Sequence, residues 1–165
     1  MKTLFLIRHA HSGRKSGVAD DSKRPLSDRG KAEAAEMGKR LKAGRVNFDA
    51  FYSSVAKRAY ETARIVAGEV GVSVEDIVRD EGFYTFDVER LLSAVRSVDD
   101  GFSTVAVFCH NFAVSGVANL LAGAEIEMPT CGVVHIETGS EKWSGVSAGE
   151  GRVVEFDFPG RDKSG

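Results

Sequence analysis

Leu4-Phe5-Leu6-Ile7-Arg8-His9-Ala10 is the stretch whose reading decides the fold. Four large apolar residues in succession suit a strand buried on both faces, as in the interior of a parallel sheet. A cation and an imidazole then stand where that strand emerges, and open α/β sheets bind ligands just beyond the carboxyl ends of their strands. A second junction of this kind is Thr104-Val105-Ala106-Val107-Phe108 followed by Cys109-His110-Asn111. A third is the short β-type run over 48–52, which leads into Ser53-Ser54 and then Lys57-Arg58.

Helical patterns fill the gaps. Residues 11–24 are polar and read as a loop, which Pro25-Leu26-Ser27 closes with Ser27 as a helix N-cap. The first helix is expected over 28–41, with Ala34, Met37 and Leu41 on its apolar side. Ser53-Ser54 is read as the cap of a second, carrying Ala56, Tyr60, Ala63, Val66, Ala67 and Val70 and stopping at Gly71. A third runs over 87–98 with Val88, Leu91, Leu92 and Val95 on one face, and a fourth over 112–121 closes at Gly123. Strands are expected at 133–137 and 153–158. This alternation predicts one α/β domain over residues 1–165, a three-layer sandwich with a mostly parallel sheet flanked by helices.

Composition narrows the classes. A chain of 165 residues, 42% hydrophobic, suits one core. With 22 basic against 24 acidic residues the net charge is −2, so no broad field favours nucleic acid or an anionic membrane. The apolar run after Met1-Lys2-Thr3 is cut by Arg8, short of the ~7–15 residues of a signal-peptide core. No stretch approaches the ~20 apolar residues of a membrane span. Cys109 and Cys131 make no disulfide framework and read as packing residues of a reduced compartment, so a cytoplasmic protein is expected.

If the three strands are neighbours, their exits meet in one pocket with two imidazoles, two guanidiniums and inward-facing helix N-termini. Guanidinium forks match phosphoryl oxygens bidentately, and helix N-termini add oriented N–H donors. A neutral imidazole among such cations is a nucleophile suited to phosphorus. Neighbouring positive charge is expected to lower its pKa and keep a ring nitrogen free.

These residues resemble a known family. Leu6-Ile7-Arg8-His9-Ala10 is similar to the signature of the histidine phosphatase superfamily, usually Arg-His-Gly. Arg24-Pro25-Leu26-Ser27-Asp28-Arg29-Gly30 and Ser53-Ser54-Val55-Ala56-Lys57-Arg58-Ala59-Tyr60-Glu61-Thr62-Ala63 resemble blocks of its SixA-type phosphohistidine phosphatase branch. Asp80-Glu81-Gly82-Phe83-Tyr84 and Val107-Phe108-Cys109-His110-Asn111 follow in the same order. The resemblance implies a phosphoglycerate mutase-like fold, no cofactor, and a phosphohistidine intermediate on His9. It further implies phosphoryl binding by Arg8, Arg58 and His110, with Asn111 and Ser12 beside them and Glu81 as general acid. The partner implied is a phosphohistidine-bearing protein such as a phosphotransfer domain. His11 and Phe112 stand where the branch often has Lys and Pro, and with Ala10 they depart from the pattern.

Superfamily members that enclose small metabolites resemble this layout with long insertions as lids. Here the 11–24 loop and the 81–87 connection are short, which suits a phosphohistidine presented on a protein. Gly13, Arg14 and Lys15 are expected at the rim. Rival readings are a small-molecule phosphomonoesterase, a phosphoprotein-binding module without turnover, and a metal hydrolase built on His9-x-His11 with Asp20 and Asp21. The metal reading lacks ligands at partner spacing, so no metal is expected. A cysteine phosphatase needs Arg six positions after Cys, but Ser115 and Glu137 stand there. His135 reads as a satisfied core or edge residue, and Lys39-Arg40-Lys42 as a solvated face complementing the helix dipole. Trp143 suits an anchor between a surface loop and the core. Oligomeric state and physiological substrate stay open.

Overall fold

The computed structural model describes residues 1–13 and 20–162. Six strands form one sheet: β1 (Thr3–Arg8), β2 (Ala50–Ser53), β3 (Ile77–Arg79), β4 (Thr104–Cys109), β5 (Val133–Glu137) and β6 (Arg152–Asp157). Their order is β3-β2-β4-β1-β5-β6. β3, β2, β4 and β1 pair in parallel, whereas β5 and β6 join antiparallel. The sheet is therefore mixed, parallel on one side of β1 and antiparallel on the other.

Helices α1 (Asp28–Ala43), α2 (Lys57–Val70), α3 (Val88–Arg96) and α4 (Ala113–Ala122) cover the sheet in two layers. Alternation along β1 and β4 sorts side chains between the two. Phe5, Ile7, Ala106 and Phe108 meet Ala34, Met37, Ala63 and Val66 of α1 and α2. Leu4, Leu6, Val105 and Val107 meet Leu91, Val95, Val114 and Val117 of α3 and α4. Each such large aliphatic side chain contributes ~1.5–3 kcal/mol on full burial. Two helices on each face of one sheet make the three-layer α/β sandwich expected from the sequence.

Local signals hold at most helix ends. Ser27 Oγ accepts from the Gly30 N–H at 3.1 Å, and Asp87 Oδ2 from the Arg90 N–H at 3.0 Å. Gly71 ends α2 and Gly123 ends α4 in left-handed conformation, with φ of 84° and 63°. Gly30 has a different reason to be glycine: a Cβ there would lie 2.0 Å from the His11 carbonyl oxygen. That close approach seats the start of α1 against the exit of β1.

The structure corrects three details. Ser53 and Ser54 do not cap α2, whose N-cap is Ala56 with no side-chain cap bond. β3 adds to the strands expected from the sequence: it is only three residues, with Val78 and Arg79 exposed. Arg40 is not a solvated cation but pairs with Glu36 and Asp157, tying the C-terminal segment to α1. Trp143 is fully buried and donates from Nε1 to the Phe102 carbonyl at 2.8 Å. His135 stacks on Phe5 at 4.2 Å, and both cysteines are buried and free. Among the described residues no helix is long and apolar enough to cross a membrane.

Candidate active site

The exits of β1, β2 and β4 are neighbours, and they bring His9, Arg58 and His110 together as the sequence pattern anticipated. His9 Nδ1 lies 2.7 Å from the Ala10 carbonyl, while Arg58 Nε donates towards His9 Nε2 at 3.4 Å. These two neighbours assign the tautomer: the proton sits on Nδ1 and the Nε2 lone pair faces Arg58. His110 is fixed the same way from the other side. Arg58 Nη2 faces its Nδ1 at 3.4 Å, and Nε2 donates to Ser54 Oγ at 2.8 Å. The two imidazole centroids are 5.2 Å apart.

Both rings are held neutral. The His9 pKa falls to about 4, first because of burial and then because Arg58, Arg8 and Arg24 are near, with the Ala10 carbonyl opposing. The expected direction is right, but the leading cause is desolvation rather than positive charge. His110 falls to about 3, again through burial first, with His9 and Arg58 adding to it.

Each motif residue has a job in this arrangement. Thr62 Oγ1 donates to the Arg58 carbonyl at 2.7 Å and accepts from the Ala10 N–H at 3.0 Å, tying α2 to the exit of β1. Ser54 Oγ serves His110 and the Ala56 N–H together. Arg8 donates from Nη1 to the Met128 carbonyl at 2.8 Å. Its Nε is buried with no hydrogen-bond partner, the one such side-chain atom among the described residues. A buried donor left unpaired costs ~1–3 kcal/mol.

Asp21 and Tyr84 complete the pocket; the sequence offers Asp21 only as a partner in the rival metal site and Tyr84 only as part of the block at 80–84. The Asp21 carbonyl accepts from Arg58 Nη1 at 2.9 Å, and its Oδ2 from Arg58 Nη2 at 3.0 Å and the Tyr84 hydroxyl at 2.7 Å. Those bonds hold the Asp21 carboxyl below its usual range, Tyr84 foremost. Arg24 reaches over from the same loop, 3.3 Å from Asp21 Oδ1. The spacing of Asp21, three residues before Arg24, is the available signal.

The remaining candidates lie less centrally. Glu81 is exposed and lines a separate depression with Asp80, Tyr84, Thr85 and Arg90. Among the described residues no hydrogen bond or ion pair joins its carboxylate to His9, Arg58 or His110. Asn111 Oδ1 accepts from Ser115 Oγ, and Ser12 Oγ donates to the Pro25 carbonyl at 2.7 Å, so both brace loops. His11 Nδ1 lies 2.7 Å from Ser27 Oγ rather than sharing a centre with His9. Gly13 is partly exposed, and Arg14 and Lys15 lie outside the described residues. Phe86 and Phe112 are exposed beside the pocket, Phe86 with its ring 5.4 Å from His110.

Comparison with known proteins agrees with this geometry. The model of the histidine phosphatase superfamily, branch 1, matches residues 4–87. An uncharacterized chloroplastic protein of Arabidopsis thaliana is 27% identical over 152 residues, 86% of this chain and 69% of that protein. The 2,3-bisphosphoglycerate-dependent phosphoglycerate mutase of Parvibaculum lavamentivorans is 38% identical over 80 residues. That match covers 47% of this chain and only 38% of the mutase. Among solved structures, the protein histidine phosphatase SixA complexed with tungstate superposes with a TM-score of 0.79 at 22% identity, over 95% of this chain and 97% of that one. The SixA chain of Agrobacterium tumefaciens gives 0.77 at 23%, over 96% and 99%. These structural likenesses, all below 25% identity, establish a shared fold. The matched region spans the exits of β1 and β2 and just over half of the sequence, and the chain belongs to the histidine phosphatase superfamily, branch 1.

Proposed function

We propose that the chain is a protein phosphohistidine phosphatase in which His9 is the nucleophile. The observation that carries this reading is the fixed tautomer of His9. Its Nδ1 proton is engaged by Ala10 and its Nε2 lone pair faces a buried guanidinium. The phosphoryl dianion replaces Asp21 on Arg58 and gives Arg8 Nε the acceptor it lacks. His9 Nε2 attacks phosphorus, a new P–N bond forms, and the bond to the substrate imidazole breaks. The substrate ring, protonated at its other nitrogen, leaves as neutral imidazole. Water then attacks phosphorus, the His9–phosphorus bond breaks, and inorganic phosphate departs. His9 returns with Nδ1–H still on Ala10, so one tautomer serves both steps.

His110 takes part through Nδ1. A bound dianion raises its proton affinity, and Nδ1–H then donates to a phosphoryl oxygen. Because imidazole is a good leaving group, no carboxylic acid is required, in keeping with the exposed position of Glu81. The likeness in fold to SixA structures and the absence of long insertions over 81–87 support a protein-borne substrate over a sugar phosphate. A cytoplasmic location and a single domain over residues 1–165 belong to the same reading.

The test is incubation with a phosphotransfer protein labelled on histidine. Transient label on His9, lost in acid and stable in base, is expected, together with a specificity constant well above that for sugar phosphates. Acid-stable label, or label on another residue, rules the mechanism out. Sugar phosphates turned over as efficiently as the phosphoprotein would reassign the substrate.

A further inference from the structure

A groove of about 660 Å³ opens beside the reacting pocket, between α2, the end of β3 and the turn at 21–23. Lys23, Lys57, Tyr60, Glu61, Arg64 and Arg79 are among the residues that line it. Four of these six are cations, in a chain whose net charge is −2. Lys57, Tyr60, Glu61 and Arg64 fall at i, i+3, i+4 and i+7 of α2, so one helix face presents them together. Arg79 is fixed from the sheet side. Its Nη2 donates to the Val55 carbonyl at 3.1 Å, and its guanidinium lies 4.0 Å from the Tyr60 ring centroid.

Glu61 is the one carboxylate among the residues that line the groove, against four cations. Among the described residues Lys23, Lys57 and Arg64 form no salt bridge, and the Glu61 carboxylate is turned to the Leu26 N–H at 3.4 Å. Like charges gathered on one face repel in the free protein, so their natural complement is a negative surface brought by a partner. Position adds the second argument. Lys57 directly precedes Arg58, and Lys23 lies two residues beyond Asp21, whose carboxylate meets Arg58. A negative surface seated here lies against the segments that carry Arg58 and Asp21.

We propose that this groove docks the acidic face of the protein that presents the phosphoryl group. The proposal rests on the reading of His9 as a phosphohistidine phosphatase for what then enters the pocket. The observations favour a protein over a nucleic acid. The cations occupy one groove of an otherwise slightly acidic chain, not a track along it, and Arg79 covers a face of the groove's one lining aromatic ring. A single-stranded nucleic acid needs a continuous basic path with open aromatic faces.

The test compares the full chain with its exposed Lys57→Glu/Arg64→Glu variant. Two readouts are taken, anisotropy of a labelled oligoglutamate peptide and turnover of a histidine-phosphorylated phosphotransfer protein, with phosphoramidate as the small P–N substrate. Charge reversal is expected to weaken peptide binding about tenfold or more. It should lower the phosphoprotein specificity constant by a similar factor, flatten its salt dependence, and leave phosphoramidate turnover unchanged. An unaltered phosphoprotein specificity constant in the variant overturns the groove and leaves the phosphatase reading standing. Peptide binding that needs these residues in a chain that never dephosphorylates the phosphoprotein upholds the groove and overturns the substrate. Tighter binding of oligothymidylate than of the peptide by the wild-type chain overturns the proposal in favour of nucleic acid.

Discussion

The two halves of the sheet share a core and divide the labour. The parallel half ends at β1, β2 and β4 in the residues that meet around His9, with Arg58 and His110 reaching inward. The antiparallel half contributes backbone instead. The Gly132 carbonyl accepts from the Arg8 N–H, the Cys131 N–H donates to the His9 carbonyl, and the Met128 carbonyl accepts from Arg8 Nη1. Parallel strands discharge their carboxyl ends on one side, where chemistry can gather, whereas β5 starts at that edge and the loop before it offers backbone groups to Arg8 and His9. The difference predicts that side chains of the parallel half govern rate and that contacts to the other half govern geometry.

The largest effect should come from His9→Ala. Loss of a covalent nucleophile costs more than about 10⁴ in turnover. The melting temperature should change little, because the half-buried ring stands at a strand exit and leaves no core void. Calorimetry and phosphoprotein turnover measured on one preparation check both halves of this statement. Retention of a tenth of the activity would move the nucleophile elsewhere.

Arg58→Ala comes next. It removes the guanidinium that bridges both imidazoles, and loss of one preorganised donor costs ~10²–10³ in rate. Vanadate inhibition should weaken in parallel. Normal kinetics here would break the division between the halves, since α2 would then be scaffold only.

The brace is probed by Glu33, whose buried carboxylate accepts from the His11 N–H at 2.9 Å and from Thr130 Oγ1 at 3.0 Å. It ties the segment after His9 to the loop before β5. Glu33→Ala strands the His11 N–H and should cost ~1–3 kcal/mol of stability. Its loss in turnover should be smaller than that of Arg58→Ala, and Glu33→Gln, which keeps an acceptor, should recover most of both. Urea unfolding beside steady-state kinetics gives the two numbers. A larger rate loss than Arg58→Ala would place the brace among the catalytic groups.

How much of this was legible in the sequence follows the same boundary. β1 and β4 were readable because Leu4–Ile7 and Val105–Phe108 are unbroken apolar runs, the mark of strands buried on both faces. The sense of β5 and β6 was not, because direction depends on non-local pairing that alternation leaves undetermined. Ser54 misled as a helix cap because its hydroxyl is taken by His110, 56 residues away. Asp21 escaped for the same reason: Arg58, its partner, is 37 residues further along. Charges near His9 could be counted in the sequence, but its burial, the larger cause of the pKa shift, belongs to the folded chain.

That burial has a pH signature. With the His9 pKa at about 4, the proposed nucleophile is neutral throughout the range from 5 to 8. The acid limb of the specificity constant should therefore fall near pH 4 rather than near the ordinary histidine value of ~6.5. Stability has the matching sign. Unfolded histidines take up protons below ~6.5 while His9 and His110 in the folded chain do not until about 4 and about 3, so stability is full above ~6.5 and declines as pH falls through those values. Replacing both with glutamine should flatten the decline in a denaturation series. An acid limb at 6.5 would mean that the pocket is wetter than its geometry indicates.

The smallest effect is expected where the comparison between halves is most exposed to failure. Glu81 follows β3, a strand of the parallel half, so a rule based on strand exits alone would make it catalytic. Its carboxylate is exposed, shares a depression with Arg90 and Ser93, and makes no hydrogen bond or ion pair to His9, Arg58 or His110 among the described residues. A strand exit matters only when the side chain turns inward, and β3 is the edge strand, separated from β4 by β2. Glu81→Gln should thus change turnover by less than about twofold, equally for phosphohistidine and for substrates with poor leaving groups, because a general acid that contributes ~10²–10⁴ would discriminate between them. A selective loss with alkyl phosphates would show that Glu81 swings into the pocket when substrate binds, and would extend the chemistry of the parallel half to its outermost strand.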